Sequence, residues 1–233
     1  GPVTAMWSPT VVCHQIRSAE NLGAIARVMA NFGATRLVLS DPATHDFRGV
    51  ERLAVGAEDI VSGLAVARSL PEALSLAVYA VGTTSRGQVP RAHALSPEEG
   101  AARLAEHAAR GPVALVLGGE KRGLSNDDLS HCHDVVVIPT GEAQPSMNIA
   151  SAAAVLLYAC SRTARAPTVE SLDPGARLAS VSALEARAKD VLLRAGFLNP
   201  QAPEHVLREL MRSLVHGKLT QREAELWLSA FEQ

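Results

Sequence analysis

Several features that define other classes of protein are scarce in this sequence of 233 residues. It contains only three cysteines, without Cys-x-x-Cys spacing, which excludes a disulfide scaffold and predicts reduced thiols in a cytosolic protein. No apolar run reaches about 18 residues, so we expect no membrane-spanning helix. The N-terminus lacks the basic-then-apolar layout of a signal peptide, and Gly1-Pro2 is typical of a fusion scar.

Lysine is also scarce, since 19 of the 22 basic residues are arginine. Arginine binds phosphate with paired hydrogen bonds, but a GC-rich genome produces the same bias, and we favour that second explanation. The formal net charge is −2, so a polyanionic partner would need a local basic patch. The sequence does contain 47% hydrophobic residues, enough to form the core of a globular protein and to exclude disorder.

The first two-thirds of the chain alternate short apolar runs with helical patterns. Strands are predicted at residues 10–13, 36–40, 76–83, 112–117 and 134–138. Helices are predicted at residues 21–32, 70–75, 96–110 and 148–165. Continuous runs of Val, Leu and Ile are typical of strands that are buried on both faces of a parallel sheet. The alternation therefore predicts an α/β fold that binds its ligands at the carboxyl ends of the strands.

A second part of the chain follows a proline-containing break. We place a main domain at residues 3–165, a linker at 166–176 and a small C-terminal helical extension at 177–233. In the extension, apolar residues recur at helical spacing, and Thr220 with Glu223 predicts a capping box. Three short helices in about 57 residues make a marginal core, so we expect the extension to pack on the main domain or on another subunit.

The first of three unusual turns follows the first predicted strand. It reads N-L-G-A-I-A-R, which places Asn21 and Gly23 at the start of a helix and Arg27 further along it. Because the helix macrodipole disfavours a guanidinium near a helix N-terminus, we expect an anion or a carboxylate to hold Arg27. A solvated surface arginine is equally consistent with the composition alone.

The second turn joins a buried run to the sequence G-G-E-K-R-G at residues 118–123. Gly118 and Gly119 allow the backbone to approach a ligand closely. The segment matches neither a Walker A loop nor the dinucleotide fingerprint G-x-G-x-x-G. By itself it indicates either a ligand-contacting loop or a tight turn between a strand and a helix.

The third turn starts at Ile138 and ends at residues 145–148, with the sequence P-S-M-N, before an alanine-rich helix. Ser146 or Asn148 is a normal helix N-cap, and for this turn alone capping is the better interpretation. The same polar groups at a helix N-terminus can instead bind the polar edge of a ligand.

Together and in this order, the three turns closely resemble the three motifs of the SPOUT class of RNA methyltransferases, in particular the TrmH/TrmJ branch of ribose 2′-O-methyltransferases. The resemblance covers residues 11–162. The helical extension resembles that of TrmJ-type enzymes, which methylate the first nucleotide of the tRNA anticodon loop. The resemblance implies a parallel sheet with a deep trefoil knot, S-adenosyl-L-methionine as cofactor, tRNA as substrate, and a homodimer.

The resemblance also implies a set of site residues. Cofactor contacts, mostly through backbone groups, are expected at the strand ends and loops: Thr83, Thr84, Ser85, Leu117, Gly118, Gly119, Ile138, Pro145, Ser146 and Met147. The catalytic group is expected to comprise Arg27 with its neighbours Asn21, Glu120, Ser146 and Asn148. RNA contacts are expected from basic residues, if these converge near the pocket: Arg17, Arg36, Arg48, Arg52, Lys121 and Arg122.

Ribose O-methylation is an in-line displacement, in which the 2′-oxygen attacks a methyl group carried by a sulfonium. Arginine is a poor base because its pKa lies above about 12. We therefore expect Arg27 to clamp the adjacent phosphate and the 2′-oxygen, and so to stabilise developing alkoxide charge. Ser146 and Asn148 would orient the ribose, and Glu120 would hold either Arg27 or a loop amide.

Other functions are kept as alternatives. A methyltransferase of this type can act at position 32 of tRNA, at another tRNA position, or on rRNA. A non-catalytic RNA-binding module is disfavoured by the intact set of polar site residues, and a nucleotide-dependent oxidoreductase by the missing fingerprint. The segment 131–133, with the sequence H-C-H, has no third ligand nearby, so we expect no metal site.

Overall fold

The computed structural model describes residues 7–85, 94–163 and 175–232. Within them, seven strands form one sheet: β1 (Thr10–His14), β2 (Leu37–Ser40), β3 (Ala65–Ala67), β4 (Tyr79–Thr84), β5 (Ala94–Leu95), β6 (Val113–Leu117) and β7 (Asp134–Val137). The strand order is β3-β2-β1-β6-β4-β7-β5, and all neighbours are parallel. The predicted α/β class with a parallel sheet is confirmed.

Helices follow most of the strands. In the described residues they are α1 (Ala19–Asn31), α2 (Val50–Leu53), α3 (Glu58–Ser62), α4 (Leu70–Leu74), α5 (Pro97–Ala108), α6 (Asn126–Ser130), α7 (Ile149–Arg162), α8 (Leu178–Arg194), α9 (Glu204–His216) and α10 (Gln221–Phe231). None of these helices has the length and apolar character needed to cross a membrane. The prediction missed β3, β5, α2, α3 and α6, because elements of two to five residues are too short to show a period.

Helices cover both faces of the sheet, because successive side chains of a strand point to opposite faces. Val11 and Cys13 of β1 pack into the core formed with α1, α5 and α7, whereas Val12 packs into the core beneath α4 and α6. All three side chains are fully buried. Burial on both faces explains why the strands read as continuous apolar runs.

The helical extension packs on the main domain at the amino edge of the sheet, where the strands begin. The Leu178 backbone N–H donates to the Ala77 carbonyl at 2.7 Å, and Lys218 pairs with Glu106 of α5. The extension also holds an apolar cluster of its own, and the predicted Thr220 capping box is confirmed. Most of the predicted linker lies outside the described residues, so the domain boundaries stay predictions.

Candidate active site

The three predicted turns start at the same edge of the sheet. Strands β6, β4 and β7 are neighbours and run parallel, so their carboxyl ends lie side by side. Thr83 and Thr84 end β4, Leu117 ends β6, and Ile138 directly follows β7. We call this side of the sheet the carboxyl edge. The loops at residues 118–125 and 138–148 both begin there.

The loop at 118–125 folds tightly against the end of β1. A Cβ atom at Gly119 would lie 2.4 Å from the carbonyl oxygen of Gln15, and one at Gly118 would lie 2.4 Å from the carbonyl carbon of Gly123. Neither position has room for a side chain. The Gly123 N–H also donates to the Gly119 carbonyl at 3.0 Å. The tight-turn interpretation of this segment is confirmed, and its contact with a ligand stays a prediction.

Glu120 joins the second turn to the first. Its carboxylate accepts the backbone N–H groups of Arg17 and Ser18, both at 3.0 Å, and the side-chain Nδ2 of Asn21 at 3.2 Å. Of the two partners expected for Glu120, the structure therefore has the loop amides and not Arg27. Three donors on one carboxylate hold the side chain in a single position.

Asn148 joins the third turn to the first. Its Oδ1 caps α7 by accepting the Ala150 N–H at 2.8 Å, and its Nδ2 donates to the Oδ1 of Asn21 at 3.1 Å. The capping interpretation is confirmed, and the same side chain also reaches across to α1. Asn21 thus connects Glu120 to Asn148, and we call these three residues the polar bridge.

Arg27 lies apart from the polar bridge. Helix α1 begins at Ala19, two residues before its predicted start, so Arg27 lies about two turns into the helix. At roughly 100° per residue, Arg27 is about 120° around the helix from Asn21. It is exposed and makes no hydrogen bond or ion pair with the described residues. The expected carboxylate partner is wrong, because the macrodipole acts only within the first turn.

The remaining predicted cofactor residues lie at the carboxyl edge. Thr83 donates its hydroxyl to the Val116 carbonyl at 3.0 Å, and Thr84 donates to the Ser85 carbonyl at 3.3 Å. Residues 141–148 are all exposed, including Pro145, Ser146 and Met147. The Ser146 side chain makes no hydrogen bond within the described part of the chain.

The predicted RNA-binding residues divide between the two edges of the sheet. Exposed Arg17, Lys121 and Arg122 flank Glu120, while Arg48 and Arg52 follow the carboxyl end of β2 and are also exposed. Arg48 forms a paired contact with Asp46, at 2.7 and 2.8 Å. In contrast, Arg36 precedes β2 and therefore lies at the amino edge. Its expected convergence with the other basic residues is wrong.

Sequence reasoning missed a buried polar contact beneath the carboxyl edge. His14 ends β1 and Ser40 ends β2, and both side chains are almost fully buried. The His14 Nδ1 lies 2.9 Å from the Ser40 Oγ, and its Nε2 lies 3.2 Å from the Asp128 Oδ1. The available signal was a polar residue at the end of each of two apolar runs, but Asp128, the second partner of His14, is more than a hundred residues from it in the chain.

Cys13 beneath the carboxyl edge serves packing, and His133 at the opposite edge both packs and accepts a hydrogen bond from the Ala80 N–H. Burial, with a smaller effect of the Glu120 charge, raises the pKa of the Cys13 thiol to about 12, so the thiol stays protonated at neutral pH. His133 stacks on Tyr79 at the amino edge, with ring centroids 5.1 Å apart. In the described ranges, no group of three or more His, Cys, Asp and Glu side chains is arranged to hold a metal ion.

Comparison with known proteins identifies the family. A parallel sheet with polar groups gathered at its carboxyl edge is the general arrangement of ligand-binding α/β proteins. Residues 8–158 match the model of the SpoU rRNA Methylase family. The chain belongs to this family, and it is therefore a methylase of the SpoU type.

Relatives extend the similarity beyond the family domain. The chain is 30% identical over 223 residues to the tRNA (cytidine/uridine-2′-O-)-methyltransferase TrmJ of Cronobacter sakazakii, covering 93% of this chain and 91% of the relative. The crystal structure of TrmJ from Z. mobilis ZM4 covers 97% of this chain and all of its own, with a TM-score of 0.81 and 23% identity. A probable methyltransferase from Bordetella pertussis is 31% identical, with a TM-score of 0.58, over 65% of this chain and 95% of its own.

Proposed function

We propose that this protein is an S-adenosyl-L-methionine-dependent methyltransferase that modifies the ribose 2′-oxygen at position 32 of the tRNA anticodon loop. The observation that carries this proposal is the length of the similarity to TrmJ, which spans 93% of this chain and 91% of the relative. It includes the helical extension as well as the family domain. Action on tRNA implies that the protein works in the cytoplasm.

The loops of the carboxyl edge would hold the cofactor. The exposed segment 141–148, in which Glu142 is the one charged residue, and the ends of β4 and β6 offer backbone N–H and C=O groups. Such groups suit a mostly backbone-lined site for a nucleoside cofactor. When bound, the cofactor would supply a methyl group on a sulfonium: the 2′-oxygen would bond to the methyl carbon, and the sulfur would leave as a neutral thioether. Residues 83–85, 117–119, Ile138 and residues 145–147 are the proposed contacts.

We assign Arg27 to binding of the RNA substrate. Its guanidinium is exposed and has no partner among the described residues, so its five N–H donors remain available to a phosphate and to the 2′-oxygen. The polar bridge holds the three loops in register, since Glu120 and Asn148 both bond to Asn21. Ser146 lies in the same loop as Asn148, is exposed, and its side chain makes no hydrogen bond to the described residues. Its hydroxyl would then orient the ribose.

The strand order supports a trefoil knot in this proposal. Strand β7 lies between β4 and β5, although β5 follows β4 directly in the chain. Strand β7, which the chain enters from α6 and leaves toward α7, thus lies in the sheet between two strands that follow each other in the chain. The proposed knot would be unusual, since connections in most folds do not thread one another.

Helix α7 supports a homodimer. Ser151, Val155, Tyr158 and Arg162 form an exposed stripe along it, and the Val155 and Tyr158 side chains are 37% and 56% exposed. The Tyr158 ring also meets Phe32 of α1 edge to face, at 5.9 Å between centroids. A second copy packed on this stripe would cover apolar surface beside the site.

A second candidate is a ribose methyltransferase of rRNA. The name of the family model favours it, since the model describes rRNA methylases. Both candidates share the cofactor, the edge of the sheet and the role of Arg27. They differ only in the RNA, so one experiment separates them.

The test combines methyl transfer with analysis of cellular RNA. Purified protein is incubated with radiolabelled S-adenosyl-L-methionine and either bulk tRNA or rRNA, and nucleosides of a deletion strain are measured by mass spectrometry. We expect label in tRNA alone and loss of a 2′-O-methylpyrimidine from position 32. Complementation with the Arg27→Ala gene is the matched control and should not restore the nucleoside. Label in rRNA would favour the second candidate, and no ribose methylation in either RNA would contradict the proposal.

A further inference from the structure

We propose that His14 is a positioning residue that holds the loop at 118–125 in its cofactor-binding shape through Asp128. The inference rests on the proposed function, in which this loop contacts the cofactor. His14 touches no reacting atom, because its side chain is only 6% exposed and lies beneath the carboxyl edge. Its effect would therefore pass through the residues that it bonds.

The bonding pattern of the imidazole gives each ring nitrogen a defined role. Because a carboxylate only accepts, the 3.2 Å contact between Nε2 and the Asp128 Oδ1 is favourable when Nε2 carries a proton. In the neutral ring the Nδ1 then accepts the Ser40 hydroxyl proton at 2.9 Å. Asp128 is also largely buried, with 17% of its side chain exposed.

Asp128 transmits the contact to the loop. Its second oxygen accepts the Ser125 N–H at 2.8 Å, and its own N–H donates to the Ser125 hydroxyl at 3.0 Å, which forms the capping box of α6. Ser125 is the last residue of the loop that begins at Gly118. The first part of the loop is held separately, because Gly119 packs on the Gln15 carbonyl and Glu120 bonds to the first turn.

His14 and its chain neighbour thus hold the loop at both ends. The Gln15 backbone fixes Gly119, and the His14 side chain fixes the start of α6 through Asp128. Loss of the Nε2 donor would free the α6 end and leave the Asp128 Oδ1 without its partner in a largely buried position. An unpaired buried acceptor is costly, so the segment from residue 120 to 125 would open to reach water.

Two substitutions separate the two nitrogens of His14. His14→Gln places an amide nitrogen near the position of Nε2 and keeps the donor to Asp128, whereas His14→Asn reaches only the position of Nδ1 and keeps the Ser40 contact. Amide hydrogen exchange of residues 119–125 is measured in the free protein, and calorimetry gives the dissociation constant for S-adenosyl-L-methionine. Melting temperature and tRNA affinity are recorded for every variant.

We expect His14→Asn to speed loop exchange and to weaken cofactor binding, each by about tenfold, while His14→Gln stays within about threefold of wild type. A merely structural histidine would lower the melting temperature of both variants without this difference. Ser40→Ala is the control that removes the other bond and should leave the loop protected. Equal loop exchange in His14→Asn and His14→Gln would overturn the inference.

A second pair of variants tests the inference if His14→Asn does not fold. Asp128→Asn keeps one side-chain oxygen for the Ser125 N–H and replaces the oxygen that faces His14 with an amide nitrogen, and Asp127→Asn is its neighbour with an 84% exposed side chain. We expect loop exchange to be faster than in wild type for the first variant and unchanged for the second. Equal exchange rates in the two variants would also overturn the inference. If wild-type protein fails to bind the cofactor, the proposed function is wrong, and loop exchange still decides the role of His14.

Discussion

At the carboxyl edge of the sheet, polar side chains tie exposed loops together, whereas at the amino edge they are stacked beneath the helical extension. Glu120 and Asn148 are exposed and bond to Asn21 or to backbone N–H groups. These groups keep access to solvent and therefore to a ligand. The polar residues of the amino edge instead form their hydrogen bonds and ring contacts with one another.

Tyr79 is the centre of the cluster at the amino edge. Its ring is 1% exposed and is stacked between His107 and His133, at centroid distances of 4.1 and 5.1 Å. Its hydroxyl donates to Asp134 at 2.5 Å, and Arg103 also contacts that carboxylate at 3.3 Å. A small cleft beside this cluster is lined in part by Lys218 and Leu219 of the extension.

The contrast predicts that the two edges respond differently to substitution. Changes at the carboxyl edge should alter methyl transfer with little effect on unfolding, since exposed groups contribute little to stability. Changes at the amino edge should lower the free energy of unfolding and leave the chemistry intact, because buried polar groups are expensive to leave unpaired. Three predictions test this contrast.

The largest effect is expected for Arg27→Ala. Removal of one donor that stabilises developing charge typically lowers kcat by about 10²- to 10³-fold. Because Arg27 is exposed and unpaired in the described structure, we expect the melting temperature and the affinity for S-adenosyl-L-methionine to stay unchanged. Single-turnover methyl transfer to tRNA measures the effect. Arg27→Lys is the informative comparison, since near-normal turnover of that variant would argue against a two-pronged clamp.

The next effect concerns acid stability and His107. Burial lowers the pKa of His107 from 6.5 to about 4. The unfolded chain therefore binds this proton at a higher pH than the folded protein, so stability is lost as the pH falls from 6.5 through 4, by at most about 3 kcal/mol. His107→Phe keeps a ring against Tyr79 and removes the titration, so its free energy of unfolding should fall less over this range.

Urea unfolding at several pH values between 7 and 4 measures this difference. His205→Gln is the matched control, because His205 lies on α9 with 81% of its side chain exposed. The control should follow the wild-type pH dependence. Parallel curves for His107→Phe and wild type would show that this histidine does not contribute to acid sensitivity.

The smallest effect is expected for Tyr79→Phe. Burial and the hydrogen bond to Asp134 raise the pKa of Tyr79, so its hydroxyl remains a donor at neutral pH. Without it, Asp134 keeps Arg103, and we expect a loss of about 1 kcal/mol in the free energy of unfolding with unchanged methyl transfer. Chemical denaturation measures the loss, and exposed Tyr158→Phe is the control. A fall in turnover for Tyr79→Phe would mean that the two edges are coupled.

The sequence predicted what depends on local pattern. Each of the five predicted strands lies within three residues of an observed one, because continuous apolar runs reflect burial on both faces. The N-cap of α7 at Asn148 was also recognisable, since an N-cap side chain bonds to residues that closely follow it in the chain. The family resemblance also implied that Asn21, Glu120 and Asn148 form one group, although their direct bonds were not foreseen.

Contacts between distant segments escaped the sequence. His14, Ser40 and Asp128 meet only because β1, β2 and α6 end at the same edge, and no local period reports such a meeting. The family resemblance grouped Arg27 with Asn21, yet the helix turns the two side chains about 120° apart. Arg36 was grouped with other basic residues by charge, although its strand begins at the opposite edge.

Both hydrogen bonds of the polar bridge point the same way, from Asn148 to Asn21 and from Asn21 to Glu120, so the bridge depends on the amide nitrogen of Asn21. The Asn148 amide donates to the Asn21 oxygen, and the Asn21 amide donates in turn to Glu120. Spontaneous deamidation of Asn21 would replace its donating nitrogen with an oxygen and place two carboxylates about 3.2 Å apart. Deamidation of this one side chain would thus replace a hydrogen bond to Glu120 with charge repulsion at the point where the three loops meet.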